Sequence, residues 1–142
     1  MRILGLDVGD RRIGVAMSDP MGILASALAV IERKSDGAHF ETIVDWVKEN
    51  GVERIVVGLP RLMDGSIGTQ AEKTRGFVEQ LKQLTDVPIE TSDERLSTSV
   101  ADQLMRDAGK NRKQIKEMRD AAAAALILQW YLDEHKKEEH FA

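Results

Sequence analysis

Residues 2–18 read RILGLDVGDRRIGVAMS, two apolar runs joined by the turn Gly-Asp-Arg-Arg. Each run has the length and content of a strand, and the turn between them makes a hairpin. Alternation along the first run puts Ile3, Gly5 and Asp7 on one face and Leu4, Leu6 and Val8 on the other. Asp7 therefore interrupts a stretch whose neighbours favour burial. An unpaired carboxylate there is costly, so the pattern asks for a partner or a bound cation. Gly5 and Gly9 leave open space beside it, as a ligand or metal would need.

Working outward, Asp19-Pro20-Met21-Gly22 carries the residues of a type I turn, and residues 23–32 (ILASALAVIE) continue as a third strand. These three runs predict an antiparallel meander. The period then changes: Phe40, Ile43, Val44 and Val47 recur at helical spacing until Gly51. Residues 54–60 (RIVVGLP) are almost wholly apolar, as in the buried middle of a sheet. A loop with two glycines (61–68) leads to a helix over 69–85, with Phe77, Val78, Leu81 and Leu84 turned inward. Residues 87–92 (VPIETS) read as a fifth strand, and 97–109 as a helix in which Ser99 and Asp102 fit a capping box. A basic linker and a final helix over 114–136 complete the chain. The order βββαβαβαα predicts an α/β fold, a mixed five-stranded sheet with helices on both faces.

The length of 142 residues fits one domain, spanning 1–142, with the last ten or so residues a charged tail. No run approaches the roughly eighteen apolar residues of a membrane span. Asp7 and Asp10 interrupt any leader-like pattern, and with no cysteine the expectation is a cytoplasmic protein. The lack of cysteine also excludes disulfides, thiol catalysis and thiolate-bound zinc. A net charge of −4 and pI near 5.4 argue against a uniformly basic nucleic-acid binder. Residues 106–119 (RDAGKNRKQIKEMR), however, hold six basic and two acidic side chains, a local balance of +4.

Two further acids stand out. Glu94 lies just past the fifth strand, where open α/β sheets border their ligand crevice. The same residue also fits a capping box with Thr91, or an ion pair with Arg95. Asp120 shares a helix face with Ala124, Ile127 and Tyr131, and the alanines after it let that helix lie close to a sheet. It too has a plainer reading, as a first-turn acid answering the helix dipole. Three gathered carboxylates repel unless a cation sits among them. With His39, His135 and His140 all expected in solvent, hard oxygen ligands favour Mg²⁺ or Mn²⁺.

The stretches GLDVGDRRIGVAMSD, VVGLPRLMDGS, TSDERLSTS and GKNRKQIKEMRDAAAAALILQ resemble, in order, the motifs of the YqgF (RuvX) family. The resemblance covers nearly the whole chain. It implies an RNase H-like fold and a Mg²⁺-dependent nuclease. Members are described as maturing the 5′ end of precursor 16S ribosomal RNA, and earlier as Holliday junction resolvases. The family's acids fall on Asp7, Glu94 and Asp120.

The expected chemistry is phosphodiester hydrolysis by metal-activated water. Asp7 would bridge two ions roughly 3.5–4 Å apart, with Glu94 and Asp120 completing the shells. Arg11, Arg12, Arg95, Lys110, Arg112 and Lys113 would hold phosphates of RNA or structured DNA, in a monomer or homodimer. Two other classes compete. The DVGDRRIG stretch resembles the phosphate loop of actin-like ATPases and sugar kinases, but those clamp nucleotide with a second domain, for which 142 residues leave no room. A non-catalytic RNA-binding assembly factor is the other; aromatics at 4% of the chain offer few stacking platforms for it.

Overall fold

The computed structural model describes residues 1–60, 69–94, 109 and 111–141. Residues 97–108 of the expected helix over 97–109 and the loop over 61–68 lie outside the described residues. The described elements run β1 (Arg2–Val8), β2 (Arg12–Ser18), β3 (Ala25–Glu32), α1 (Ala38–Asn50), β4 (Val52–Pro60), α2 (Thr69–Lys82), β5 (Ile89–Glu94) and α3 (Arg112–Phe141).

The sheet has the order β3-β2-β1-β4-β5. The meander pairs antiparallel, β1 with β2 and β2 with β3, whereas β4 joins β1 and β5 joins β4 in parallel. Tight turns account for the first half: Gly9 N–H donates to Arg12 O, and Gly22, at φ 70°, donates to Asp19 O. Asp19 also accepts from the backbone of Ile23 and Leu24, which fixes the start of β3. Helical crossovers account for the second half, since parallel neighbours cannot be joined by a tight turn.

Alternation sorts the side chains into two cores. Leu4, Leu6 and Val8 pack with Ile55, Val57, Ile43, Val47, Phe77 and Leu81 beneath α1 and α2. Ile3, Ala16 and Val56 pack with Ala124, Ile127, Leu128, Tyr131 and Leu132 of α3 on the other side. β4 is buried on both faces, which is why its sequence is continuously apolar. Gln129 ties α3 to the hairpin edge, accepting from Ala25 N and donating to Ile23 O. Among the described residues no helix is long and apolar enough to cross a membrane.

Four local expectations are corrected. His39 is buried, 6% exposed, between Phe40 and Phe77, because the first turn of α1 points it into the core. Leu84 is 52% exposed, since α2 ends at Lys82 and the helical period does not reach it. β5 lies two residues further along than expected and ends at Glu94. α3 begins at Arg112, so Arg112 and Lys113 belong to a helix and not to a linker, and it continues through the expected tail to Phe141.

Candidate functional site

Asp7 sits near the C-terminal end of β1 and pairs with Gly14 of β2. Cross-strand partners lie about 4.5–5.5 Å apart and project to the same face. That face is the one α3 covers. A Cβ built on Gly14 would fall 1.9 Å from the backbone oxygen of Asp120. The helix backbone thus rests directly on Gly14, and Asp120 comes to lie over the strand residue beside Asp7. The sequence reading missed Gly14. Its signal was a glycine inside a strand, which often marks close backbone approach.

Gly5 and Gly9 have other uses than the open space expected of them. The missing Cβ of Gly5 is replaced by Leu128 Cβ at 2.8 Å and Ala124 O at 3.3 Å, so the helix fills that space. At Gly9 the nearest atom is Arg12 O at 2.9 Å, the closing contact of the turn. Small residues on both surfaces (Gly5, Gly14, Ala16, Ala121, Ala124) let helix and sheet approach until Asp7 and Asp120 share one neighbourhood.

Arg12 Nε lies 3.5 Å from Asp120 Oδ2, with the two side chains 58% and 34% exposed. A pair so exposed adds little to stability. It places the Asp120 carboxylate beside the first residue of β2. The helix-dipole reading of Asp120 fails, because α3 starts eight residues earlier at Arg112.

Glu94 is reached through the sheet register. Ile55, Val56, Val57, Gly58, Leu59 and Pro60 pair in step with residues 89–94. Glu90 is on the α3 side, because it accepts a hydrogen bond from Tyr131 Oη. Strand alternation then gives position 92 the same side. Position 94 is the last of β5, so the capping-box reading with Thr91, which needs a helix start, does not hold. The side chain of Glu94 lies outside the described residues. Tyr131 also accepts from Arg54 Nη1 at 2.7 Å, locking α3 to β4 and β5 together.

Of the expected basic residues, Arg11 is exposed on the β1–β2 turn and Arg12 opens β2. Arg95 and Lys110 lie outside the described residues. Arg112 and Lys113 occupy the first turn of α3, about 12 Å and 10 Å along the helix axis from Asp120. Their side chains, too, are outside the described residues. Among the described residues no three acids or histidines form a group that could hold a metal. Asp7 and Asp120 nonetheless supply hard carboxylate oxygens, the donor type that suits Mg²⁺ or Mn²⁺.

A five-stranded mixed sheet that carries an acid on its first strand and another on a covering helix defines the RuvC-like class of RNase H folds. Thermus thermophilus RuvC bound to a Holliday junction superposes with a TM-score of 0.61 over 96% of either chain, at 15% identity. The family model described as "RuvX: Holliday junction resolvase" matches residues 1–134, and the chain belongs to that family. A relative from Desulforamulus reducens is 47% identical over 96% of this chain and 100% of its own length. Another from Halothermothrix orenii is 47% identical over 96% of this chain and 98% of its own. Both carry the name "Putative pre-16S rRNA nuclease".

Proposed function

We propose that this chain is a divalent-metal-dependent nuclease that hydrolyses phosphodiester bonds in precursor 16S ribosomal RNA. The observation that carries the reading is the seating of Asp120 on Gly14, beside Asp7. The names of relatives at 47% identity supply the substrate.

In this reading Asp7, Asp120 and Glu94 hold Mg²⁺ or Mn²⁺, as one ion or as a pair. Bound there, the metal lowers the pKa of the attacking water and offsets charge on the leaving oxygen. The chain's own part is positional. β1 and α3 present two carboxylates from rigid elements, so the ligand oxygens are set before substrate arrives. Arg12, more than half exposed, orients Asp120 and offers a cation to an approaching phosphodiester. Arg11, exposed on the β1–β2 turn, extends that cationic approach, and Arg95, Lys110, Arg112 and Lys113 are assigned to phosphates on the sequence alone.

Asp7→Asn should abolish metal-dependent cleavage of labelled 16S precursor while leaving the melting temperature near that of the parent protein. Undiminished cleavage by this variant would sink the assignment. Four-way-junction resolution is the second reading, favoured by the description of the matching family model. Paired cuts would require a two-fold dimer, so junction cleavage by a strict monomer would count against it.

A further inference from the structure

A cleft of about 560 Å³ lies on the far side of the sheet from α3, between the segment after β3 and helix α2. Arg33, Lys34 and Lys73 contribute three cations to it, and Asp10 the one acid. Ser35, His39 and Gln80 complete its polar lining, and at Gly76 an added Cβ would meet nothing within 4 Å. None of these residues belongs to the site around Asp7 and Asp120.

We infer that this cleft binds a backbone phosphate of the same nucleic acid that is cut at the acidic site. The inference rests on the nuclease reading and adds a second point of contact to it. Charge selects an anion, since three cations face one carboxylate, itself 3.5 Å from Lys73. Arg33 is held in place: its Nη1 donates to Gly9 O at 3.0 Å, and its guanidinium lies 5.5 Å from the Phe77 ring centroid. That stacking covers the cleft's aromatic ring, so a base has no free platform there and the backbone is the part recognised. In the wall, His39 Nδ1 accepts from Lys34 N–H at 3.2 Å, which leaves the hydrogen on Nε2, a buried atom without a partner among the described residues.

Distance ties the cleft to the cut. Asp10 follows Asp7 by three residues, a reach of at most about 11 Å. The β1–β2 turn is the wall between the two sites, and Gln70 Nε2 and Arg33 Nη1 brace it by donating to Val8 O and Gly9 O.

The test is the salt dependence of binding, followed by anisotropy with labelled 16S precursor and with a four-way DNA junction, both in EDTA to prevent cleavage. Loss of one phosphate contact lowers the slope of log Kd against log salt by about 0.7 for single strands and about 0.9 for duplex. Lys34→Ala with Lys73→Ala should lower it by that amount, and Lys34→Ala alone should lower it in part. Lys48→Ala with Lys82→Ala, equal in charge and outside the cleft lining, should not. An unchanged slope in the cleft variants, with the parent binding normally, overturns the cleft and leaves the nuclease reading standing. If the parent binds neither nucleic acid in EDTA, a second measurement decides the cleft, and the nuclease reading fails if Mg²⁺ and Mn²⁺ bring no cleavage either. Titration with inorganic phosphate should shift the amide resonances of Ser35, His39 and Gly76 together; scattered or absent shifts overturn the site.

Discussion

Replacing Gly14 by alanine tests both the fold and the site. The new Cβ would fall 1.9 Å from Asp120 O, 2.2 Å from Asp120 C and 2.9 Å from Ala121 N. Ordinary contact begins near 3.4 Å, so strand and helix must part by about 1.5 Å. All three clashing atoms are backbone, and no rotamer change can relieve them. The helix is also pinned by Ala121, Ala124 and Leu128, each at 0% exposure, so lifting it opens the core beneath. Overpacking costs about 1–3 kcal/mol and occasionally more, and a backbone-to-backbone clash belongs at the upper end. At about 3–4 °C per kcal/mol for a chain of this size, the melting temperature should fall by roughly 10 °C. Cleavage should fall with it, because Asp120 is carried away from Asp7. Gly76→Ala in α2 is the matched control: the same methyl group meets open space there. Removing a helical glycine should stabilise by about 0.5–1 kcal/mol. Calorimetric melts of the three proteins make the comparison. A Gly14→Ala protein melting within about 2 °C of the parent would refute the seating of α3 on β2.

Three other outcomes are expected. Mg²⁺ at ten times its Kd should stabilise the protein by about 1.4 kcal/mol, roughly 4–5 °C in melting temperature, and Asp7→Asn should remove that shift. Tyr131, the one tyrosine in the chain, is pushed up to about 12 by burial and by the hydrogen bond it gives Glu90, with Arg54 opposing. The folded state therefore holds this proton more tightly. Its stabilising contribution is complete below pH 10 and lost between 10 and about 12, so tyrosinate absorbance rising near pH 10 in the folded protein would contradict the arrangement. His39 is held below its ordinary value of 6.5, by burial first and then by the Arg33 charge, against an opposing effect of Asp36. The unfolded chain then takes up this proton first, so stability is present above about pH 6.5 and declines on acidification. Urea midpoints between pH 7.5 and 5.5 should show that decline, and His39→Gln should flatten it; an equally steep decline in the variant would clear His39 of the effect.

Much of this architecture was legible because local rules act through short spacing. The meander follows from three apolar runs and two tight turns, and Asp19-Pro20-Met21-Gly22 forms the turn its residues imply. The alternation of β1 correctly separates Leu4, Leu6 and Val8 from Ile3, Gly5 and Asp7. The helical stripe through Ala124, Ile127 and Tyr131 lies against the sheet as its period requires. Where a period was extended past an element's end, as at Leu84, it misled. His39 misled for another reason: residue type favours solvent for a lone histidine, but aromatic neighbours from α1 and α2 enclose it.

What sequence alone determined was the inventory: which residues alternate, which recur at helical spacing, and which acids interrupt those patterns. Spacing along the chain carries that information because strand and helix geometry are local. Only the tertiary structure decided what meets what. Gly14 and Asp120 are 106 residues apart, and nothing local links them; they touch because the order β3-β2-β1-β4-β5 leaves one face for α3 to cover. The use of Gly5 as a seat for Leu128, the register that sets β5 beside β4, and the cleft behind the β1–β2 turn arise in the same way. Each depends on the approach of distant backbone, which is set by the packing of whole elements and not by the residues that flank the contact.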